Sequence, residues 1–271
     1  MQSNERPPAV AGTFYPAGRA ALACEVEQML AAARPIDALA PRAIVAPHAG
    51  YMFSGPVAAT AYARIAAAAT HIRRVVLLGP SHFVPFRGIA ASTADAFRTP
   101  LGAVPVDREA LDIALAQPGV GLLDSAHERE HALETQLPFL QTVLESFSIV
   151  PLVAGDADAA DIARVLEALG TDGATLVVIS SDLSHFHDDR TARRMDRATA
   201  DAIERLDHAH IGPQDACGHV PLRGLLQHLA AGSGRVTTLD LRTSADAGGP
   251  PERVVGYGAF AVEATAPAEA A

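Results

Sequence analysis

The segment AIVAPHAG, residues 43–50, carries the pattern that predicts the fold: four consecutive apolar residues, a proline, and then a histidine. Similar features return in VVLLGPSH, residues 75–82, and in LVVISSDLSH, residues 176–185. Strands without polar alternation are typical of parallel sheets, in which both faces are covered. We therefore expect three buried strands that each end in a polar, histidine-bearing turn.

Helical patterns alternate with apolar strands along most of the chain. A fourth buried strand is predicted at residues 149–153. Amphipathic helices are predicted at residues 55–69, 107–116, 134–144, 159–169 and 191–206. Such alternation is typical of α/β proteins with a largely parallel central sheet and helices on both faces.

Shorter segments complete the predicted architecture. We expect short strands at residues 87–92 and 103–106, and antiparallel edge strands at 236–241 and 254–262. No linker-like stretch interrupts the chain. The sequence therefore predicts a single α/β domain over residues 1–263, followed by a disordered Ala-rich tail over residues 264–271.

Composition narrows the classes of partner and compartment. With 271 residues, of which 49% are hydrophobic, the chain can bury a large core. A formal net charge of −10 predicts neither a nucleic-acid nor an anionic-membrane partner. Neither a signal-peptide pattern nor a stretch of about 18 apolar residues is present, so we expect a cytoplasmic protein. Two cysteines in so long a chain are expected to be free thiols.

The histidines after the buried strands are the main chemical signal. In open α/β sheets, ligands bind outside the carboxyl ends of the strands, where successive turns meet. His48, His82, and Asp182 with His185 are therefore expected to converge on one site. The alternative for each histidine alone is a capping or solvated residue.

Two further segments carry side chains that can bind metal or transfer protons. His131 and Glu134 are spaced i, i+3 and would share one face of a helix; the alternative is an acidic first turn that complements the helix dipole. Cys217 precedes Gly218 and Pro221, which open a predicted helix. A helix start favours the thiolate, which suits a metal ligand or a nucleophile, whereas a buried structural cysteine is the alternative.

Six long motifs, in this order, carry a resemblance to a known family. They are RAIVAPHAGYMFSGPVAATAY, LLGPSHFVPF, FRTPLG, EHALETQLPF, VVISSDLSHF and ACGHVPLRGLL. From about Gly12 to Ala261, the chain resembles the Memo family, whose bacterial members are called AmmeMemoRadiSam system protein B. The resemblance implies a single α/β domain similar to the class III (LigB-like) extradiol dioxygenases, which are non-haem iron enzymes.

The resemblance also implies a site. Its metal ligands carry over to His48, His82 and Cys217, and its pocket residues to Asp182, His185, His131 and Glu134. It implies one transition-metal ion, with Fe(II) or copper favoured and zinc possible. The dioxygenases use two histidines and a carboxylate, so a thiolate as third ligand departs from their pattern and softens the site. His219 and Val220 also stand where family members often have other residues.

Several functions remain open from the sequence. The leading hypothesis is a redox metal site acting on a small organic substrate, with His185, held by Asp182, as acid and base. The alternatives are a peptide- or metabolite-binding protein without turnover, a zinc hydrolase, and a Cys217 nucleophile activated by His185. By family association, AMMECR-type and radical SAM proteins are expected partners. The chain itself contains no CxxxCxxC cluster motif.

Overall fold

The computed structural model describes residues 4–33, 40–170, 173–232 and 234–264, and within them the chain forms twelve β-strands and eight α-helices. The strands are β1 (Glu5–Arg6), β2 (Ala43–Ala46), β3 (Arg74–Pro80), β4 (Ile89–Ala91), β5 (Ala96–Thr99), β6 (Gly102–Pro105), β7 (Val120–Leu122), β8 (Ser148–Ala154), β9 (Thr175–Ser180), β10 (His185–His187), β11 (Gly234–Thr243) and β12 (Val254–Ala264). The helices are α1 (Arg19–Ala32), α2 (Tyr51–Ile65), α3 (Arg108–Leu115), α4 (Ser125–Glu128), α5 (Leu137–Val143), α6 (Ala159–Leu169), α7 (Asp189–Glu204) and α8 (His219–Ala230). The predicted Ala-rich tail lies outside the described residues, apart from Ala264.

The main sheet has nine strands, eight of them in the order β10-β12-β2-β9-β3-β8-β4-β7, with β11 paired to β12. Strands β2, β9, β3 and β8 are mutually parallel, and every residue of β2 and β9 is buried. Ala46 at the end of β2 lies opposite Ser180 at the end of β9. The turns that follow β2, β9 and β3 therefore meet at one edge, which confirms the predicted α/β architecture.

Helices cover both faces of this sheet. Helices α1, α2 and α5 pack together on one face, with α2 lying against β2 and β12. Helices α3, α6 and α8 pack on the other, with α8 lying against β3 and β9. Gly224 lets α8 approach α6 closely, because a Cβ there would lie 2.2 Å from the Cβ of Ile162. No helix in the described ranges is both long and apolar enough to cross a bilayer.

Two details of the predicted fold were wrong, the place of β12 in the sheet and the start of α2, while the sheet to which the predicted strand β6 belongs had not been predicted. Strand β12 is not an edge strand, since it pairs with β2 and β10 as well as along its length with β11, which forms the edge. Strand β6 belongs to a separate three-stranded sheet, β1-β5-β6. Helix α2 begins at Tyr51, before the predicted start at residue 55, because Pro56 occupies an exposed position inside the helix instead of its first turn.

Candidate metal centre

Three histidines converge at the carboxyl edge of the parallel strands. His48 follows β2, His82 follows β3, and His131 lies in the loop before α5. One ring nitrogen from each lies within 4.8 Å of those of the other two. The ring centroids are 4.6 Å apart for His82 and His131, 5.1 Å for His48 and His82, and 5.4 Å for His48 and His131. The cluster is thus built from two strand ends and one loop.

A buried amide begins the network that orients His48. The Tyr62 hydroxyl donates to Gln136 Oε1 at 2.7 Å, and Gln136 Nε2 donates to the Pro47 carbonyl at 3.0 Å. These partners fix which end of the amide is the donor, because a carbonyl can only accept. Gln136 Nε2 therefore also donates to the Ser180 hydroxyl, 2.9 Å away.

The hydrogen bonds of the Ser180 hydroxyl determine which ring nitrogen of His48 carries the hydrogen. The hydroxyl donates its single hydrogen to the Ala132 carbonyl, 2.6 Å away, because a carbonyl can only accept. The hydroxyl oxygen accepts from Gln136 Nε2. His48 Nδ1, 2.8 Å from the hydroxyl oxygen, must then donate to it. The His48 ring is therefore held with a hydrogen on Nδ1 and a free lone pair on Nε2.

Glu130 orients the second histidine. Its Oε1 lies 2.8 Å from His82 Nδ1 and accepts from the Ala132 amide, while its Oε2 accepts from the His82 amide at 2.7 Å. Burial by itself raises the pKa of Glu130, but these hydrogen bonds outweigh it and hold the pKa at about 2. The ionised carboxylate accepts the hydrogen of His82 Nδ1, which leaves the lone pair on Nε2, as in carboxylate–histidine–metal arrangements.

The third histidine is partly buried and lacks a fixed partner. His131 Nδ1 has no hydrogen-bond partner among the described residues, and Glu130 Oε1 is 3.6 Å away. Phe14 packs edge-on against its ring, with centroids 4.8 Å apart. Burial and the neighbouring histidines lower the pKa of His131 to about 4 and that of His48 to about 3. Both rings are therefore neutral at pH 7, the form that binds metal.

Cys217 lies beside this cluster as a thiol. Its sulfur is 3.3 Å from His48 Nε2 and accepts a hydrogen bond from the Asp182 amide at 3.3 Å. The predicted activation to thiolate was wrong for the metal-free protein, because burial and the Asp182 carboxylate raise the pKa of the thiol. The sulfur is therefore placed to donate its proton to the same Nε2 lone pair that a metal would bind.

This set of donors fits a transition-metal ion. Imidazoles and a thiol are side chains that bind zinc, copper and iron. Nitrogens that share one ion at about 2.1 Å in tetrahedral geometry lie about 3.4 Å apart. The ring nitrogens of the three histidines lie within 4.8 Å of one another, so small rotations of the rings would bring them to the separation of ligands on one ion. The unpartnered Nδ1 of His131 is the orphan polar atom that such an ion would satisfy.

Asp182 lies in the turn after β9 and His185 is the first residue of β10, but they do not pair as predicted. Asp182 Oδ1 accepts from the His48 amide at 2.8 Å, and the His185 Nδ1 atom lies 2.8 Å from the Leu183 carbonyl. Since a carbonyl only accepts, Nδ1 carries the hydrogen and His185 Nε2 is the basic atom. Burial raises the pKa of Asp182. Asp182 therefore fixes the loop that carries His48, and Leu183 orients His185.

Glu134 lies away from the cluster, contrary to the predicted shared face. His131 precedes the helical residues, so the i, i+3 argument fails. Glu134 is fully buried and accepts hydrogen bonds from Arg6, the Tyr15 hydroxyl, and the amides of Ala9 and Val10. Its carboxylate thus anchors the N-terminal segment. Surrounded by donors, it has no free oxygen with which to serve as a base.

The same N-terminal segment supports the loop that carries the third histidine. Arg6 donates to Glu134 and to the backbone carbonyls of His127 and Glu130. Neither this role nor those of Glu130, Ser180 and Gln136 was predicted from the sequence. The available signal for Glu130 was an acid directly before a candidate histidine, and for Ser180 a hydroxyl at the end of a buried strand.

The chain is similar in sequence to a family of known proteins. A sequence profile of the family described as Memo-like protein matches residues 6–261. A MEMO1 family protein of Aquifex aeolicus is 35% identical over 263 residues, covering 93% of this chain and 97% of its own length. One of Methanopyrus kandleri is 36% identical (94% and 98% covered), and one of Nitrosopumilus maritimus is 31% identical (94% and 98%).

Proposed function

The chain belongs to the Memo-like protein family, and from this premise we propose that it is a metal-dependent oxidoreductase that acts on a small organic substrate. The observation that carries the proposal is the convergence of three imidazoles within 4.8 Å. In two of them, hydrogen bonds hold the lone pair on Nε2. Fixed tautomers are the property that distinguishes a prepared metal site from an accidental cluster of histidines.

We assign His48 and His82 as the anchoring ligands, with Cys217 and His131 as the donors that complete the set. The Cys217 sulfur, 3.3 Å from His48 Nε2, is already at the separation expected for two ligands of one ion. A mixed imidazole and thiolate set suits Fe(II) or copper, and zinc as a possible substitute. Fe(II) or copper bound there would supply redox chemistry, which zinc would not.

His185 is the proposed acid and base. The Leu183 carbonyl holds the hydrogen on Nδ1, so Nε2 can accept a proton from a substrate and return it. The ring is partly exposed, which leaves it accessible from the mouth of the site. Asp182 contributes by fixing the backbone of His48.

Metal analysis of protein purified without added metal tests the site directly. The wild type is expected to contain close to one ion per chain, and a His48→Ala, His82→Ala double variant to contain almost none. A His71→Ala, His210→Ala variant is the matched control, because it also removes two imidazoles but from exposed positions. Equal, negligible metal in all three proteins would reject the proposed site.

Oxygen consumption tests the reaction. The metal-loaded wild type is expected to consume O₂ in the presence of its substrate, and His185→Ala to lose this activity while it keeps its metal. Activity that persists without oxygen in zinc-loaded protein would identify a hydrolase instead. Retained metal with no turnover across a broad panel of small molecules would identify a binding protein.

A further inference from the structure

A cavity of about 320 Å³ lies towards the amino ends of β2 and β9, at the edge of the sheet opposite to the metal centre. Its floor contains three apolar side chains from adjacent strands, Val262 of β12, Ala43 of β2 and Val177 of β9, which are paired in register. Residues paired in register place their side chains on the same face of a sheet. The floor is therefore an apolar strip, residues 262, 43 and 177, that crosses three strands.

Helix α8 lies over this strip and forms the roof of the cavity. Leu225 and Leu229 both line the cavity, and at a spacing of i, i+4 they share one face of the helix. Gly234 at the start of β11 keeps the space open, because a Cβ there would lie 2.8 Å from Leu229 Cδ2. Pockets that bind small molecules have volumes of about 300–1,000 Å³. The cavity therefore suits a ligand at the small end of that range.

Two side chains of opposite charge line the cavity without a partner. Arg42 lies directly before β2, and Glu167 lies in the last turn of α6. Within the described ranges, neither side chain forms a hydrogen bond or an ion pair, so the two are too far apart to pair with each other. Glu263, the second acid at the cavity, is already paired with Arg64. One cation and one anion thus remain free on the same cavity.

The carboxyl ends of two helices add negative potential on the side of Glu167. Helix α6 ends at Leu169 and α8 at Ala230, and the last turn of each lines the cavity, through Glu167 in α6 and through His228 and Leu229 in α8. The carboxyl end of a helix carries a partial negative charge that favours a cation. The helix side of the cavity therefore suits a cationic group, and Arg42 on the strand side suits an anionic one.

We propose that this cavity binds an apolar α-amino acid. The guanidinium of Arg42 binds the carboxylate, because its planar fork matches that group with two parallel hydrogen bonds. Glu167 and the two helix ends bind the ammonium group, and the apolar side chain packs between the strip and α8. A molecule with only one of the two charges would leave either Arg42 or Glu167 without a partner. The site lies away from the metal centre and does not depend on its function.

Isothermal titrations of the full chain with L-leucine and its analogues test the site. The analogue 4-methylpentanoate lacks the ammonium group, 3-methylbutylamine lacks the carboxylate, and glycine lacks the apolar side chain. We expect L-leucine to bind at least tenfold more tightly than each of the three. The comparison therefore measures separately what the two charges and the apolar strip contribute.

Variants of the two free charges assign each part of the ligand to a side chain. Arg42→Gln is expected to weaken L-leucine and 4-methylpentanoate about tenfold and to leave 3-methylbutylamine unchanged. Glu167→Gln is expected to weaken L-leucine and 3-methylbutylamine and to leave 4-methylpentanoate unchanged. Both positions are exposed, so the fold should be retained. Arg190→Gln and Glu145→Gln are the matched controls, since each removes an exposed charge of the same sign that does not line the cavity.

The outcomes decide the site independently of the metal centre. No detectable binding of L-leucine, binding no tighter than that of any of the three analogues, or binding that neither cavity variant weakens overturns the inference. The His48→Ala, His82→Ala variant is expected to bind L-leucine as the wild type does. Loss of metal therefore leaves the amino-acid site intact, and failure of the titrations leaves the metal centre untouched.

Discussion

Glu130 and Glu134 lie four residues apart in the sequence and are both buried, yet they face opposite ways. Glu130 accepts from the ring and amide of His82, so its charge acts on the candidate metal centre. Glu134 accepts from Arg6, Tyr15 and two backbone amides of the N-terminal segment, so its charge holds the fold. Two residues of one type, close in the sequence, thus have separable roles, which the following variants test.

The largest expected effect is on stability, at Glu134. Glu134→Ala leaves the buried Arg6 without its counter-ion, and removing one partner of a buried pair costs about 3–5 kcal/mol. Urea unfolding measures the change. Arg98→Gln, which breaks the exposed pair of Arg98 with Glu5, is the control and should cost less than about 1 kcal/mol. A stable Glu134→Ala protein that has lost metal affinity would place Glu134 in the site after all.

Glu130 should show the opposite response. Glu130→Gln keeps the size of the side chain but removes the charge that orients His82, and loss of such a partner lowers metal affinity about 10- to 100-fold. Competition with a chromophoric chelator measures the affinity. Glu128→Gln, an exposed change at the end of α4 and two residues before Glu130, should leave it unaltered. Similar metal affinities for the Glu130 and Glu134 variants would remove the distinction between the two residues.

The pH dependence of metal binding tests the thiol side of the centre. His48 and His131 are already neutral, with pKa values of about 3 and 4, so they release no proton above pH 7. The pKa of Cys217 is raised, so binding through its sulfur must displace a proton. Co²⁺ affinity should therefore rise about tenfold per pH unit between pH 7 and 8.5. The slope should vanish in Cys217→Ala; a flat profile in the wild type would exclude the sulfur as a ligand.

The smallest effect on metal affinity is expected at Ser180, the uncharged residue that orients His48. Ser180→Ala removes the hydroxyl that accepts from His48 Nδ1, and one neutral hydrogen bond contributes about 1 kcal/mol. Metal affinity should fall about fivefold, which is less than for Glu130→Gln. Ser148→Ala, at the start of β8 and so at the opposite end of the parallel strands, is the control. If Ser180→Ala lowered metal affinity as much as Glu130→Gln does, the charge of Glu130 would not explain why it matters more than the Ser180 hydroxyl.

The regular part of this site could be predicted from the sequence. His48 and His82 follow continuous apolar strands, and parallel strands place their ends at one edge whatever the details of packing. His131 and Glu130 lie in an irregular loop whose path depends on Arg6, more than 120 residues away. No local pattern encodes such a contact. Cys217 was identified only through family resemblance, because its distance from His48 depends on how α8 packs.

The pairing of β2 bears on when the protein becomes functional during its synthesis. The strand before His48 is flanked by β9 and β12, which end much later in the chain, at Ser180 and Ala264. At about 5–20 residues per second, roughly ten to forty seconds separate translation of His48 from that of β12. During that time AIVA is an unpaired apolar strand that needs protection from aggregation. A metal site that includes His48 is therefore expected to form only after β12 has been translated.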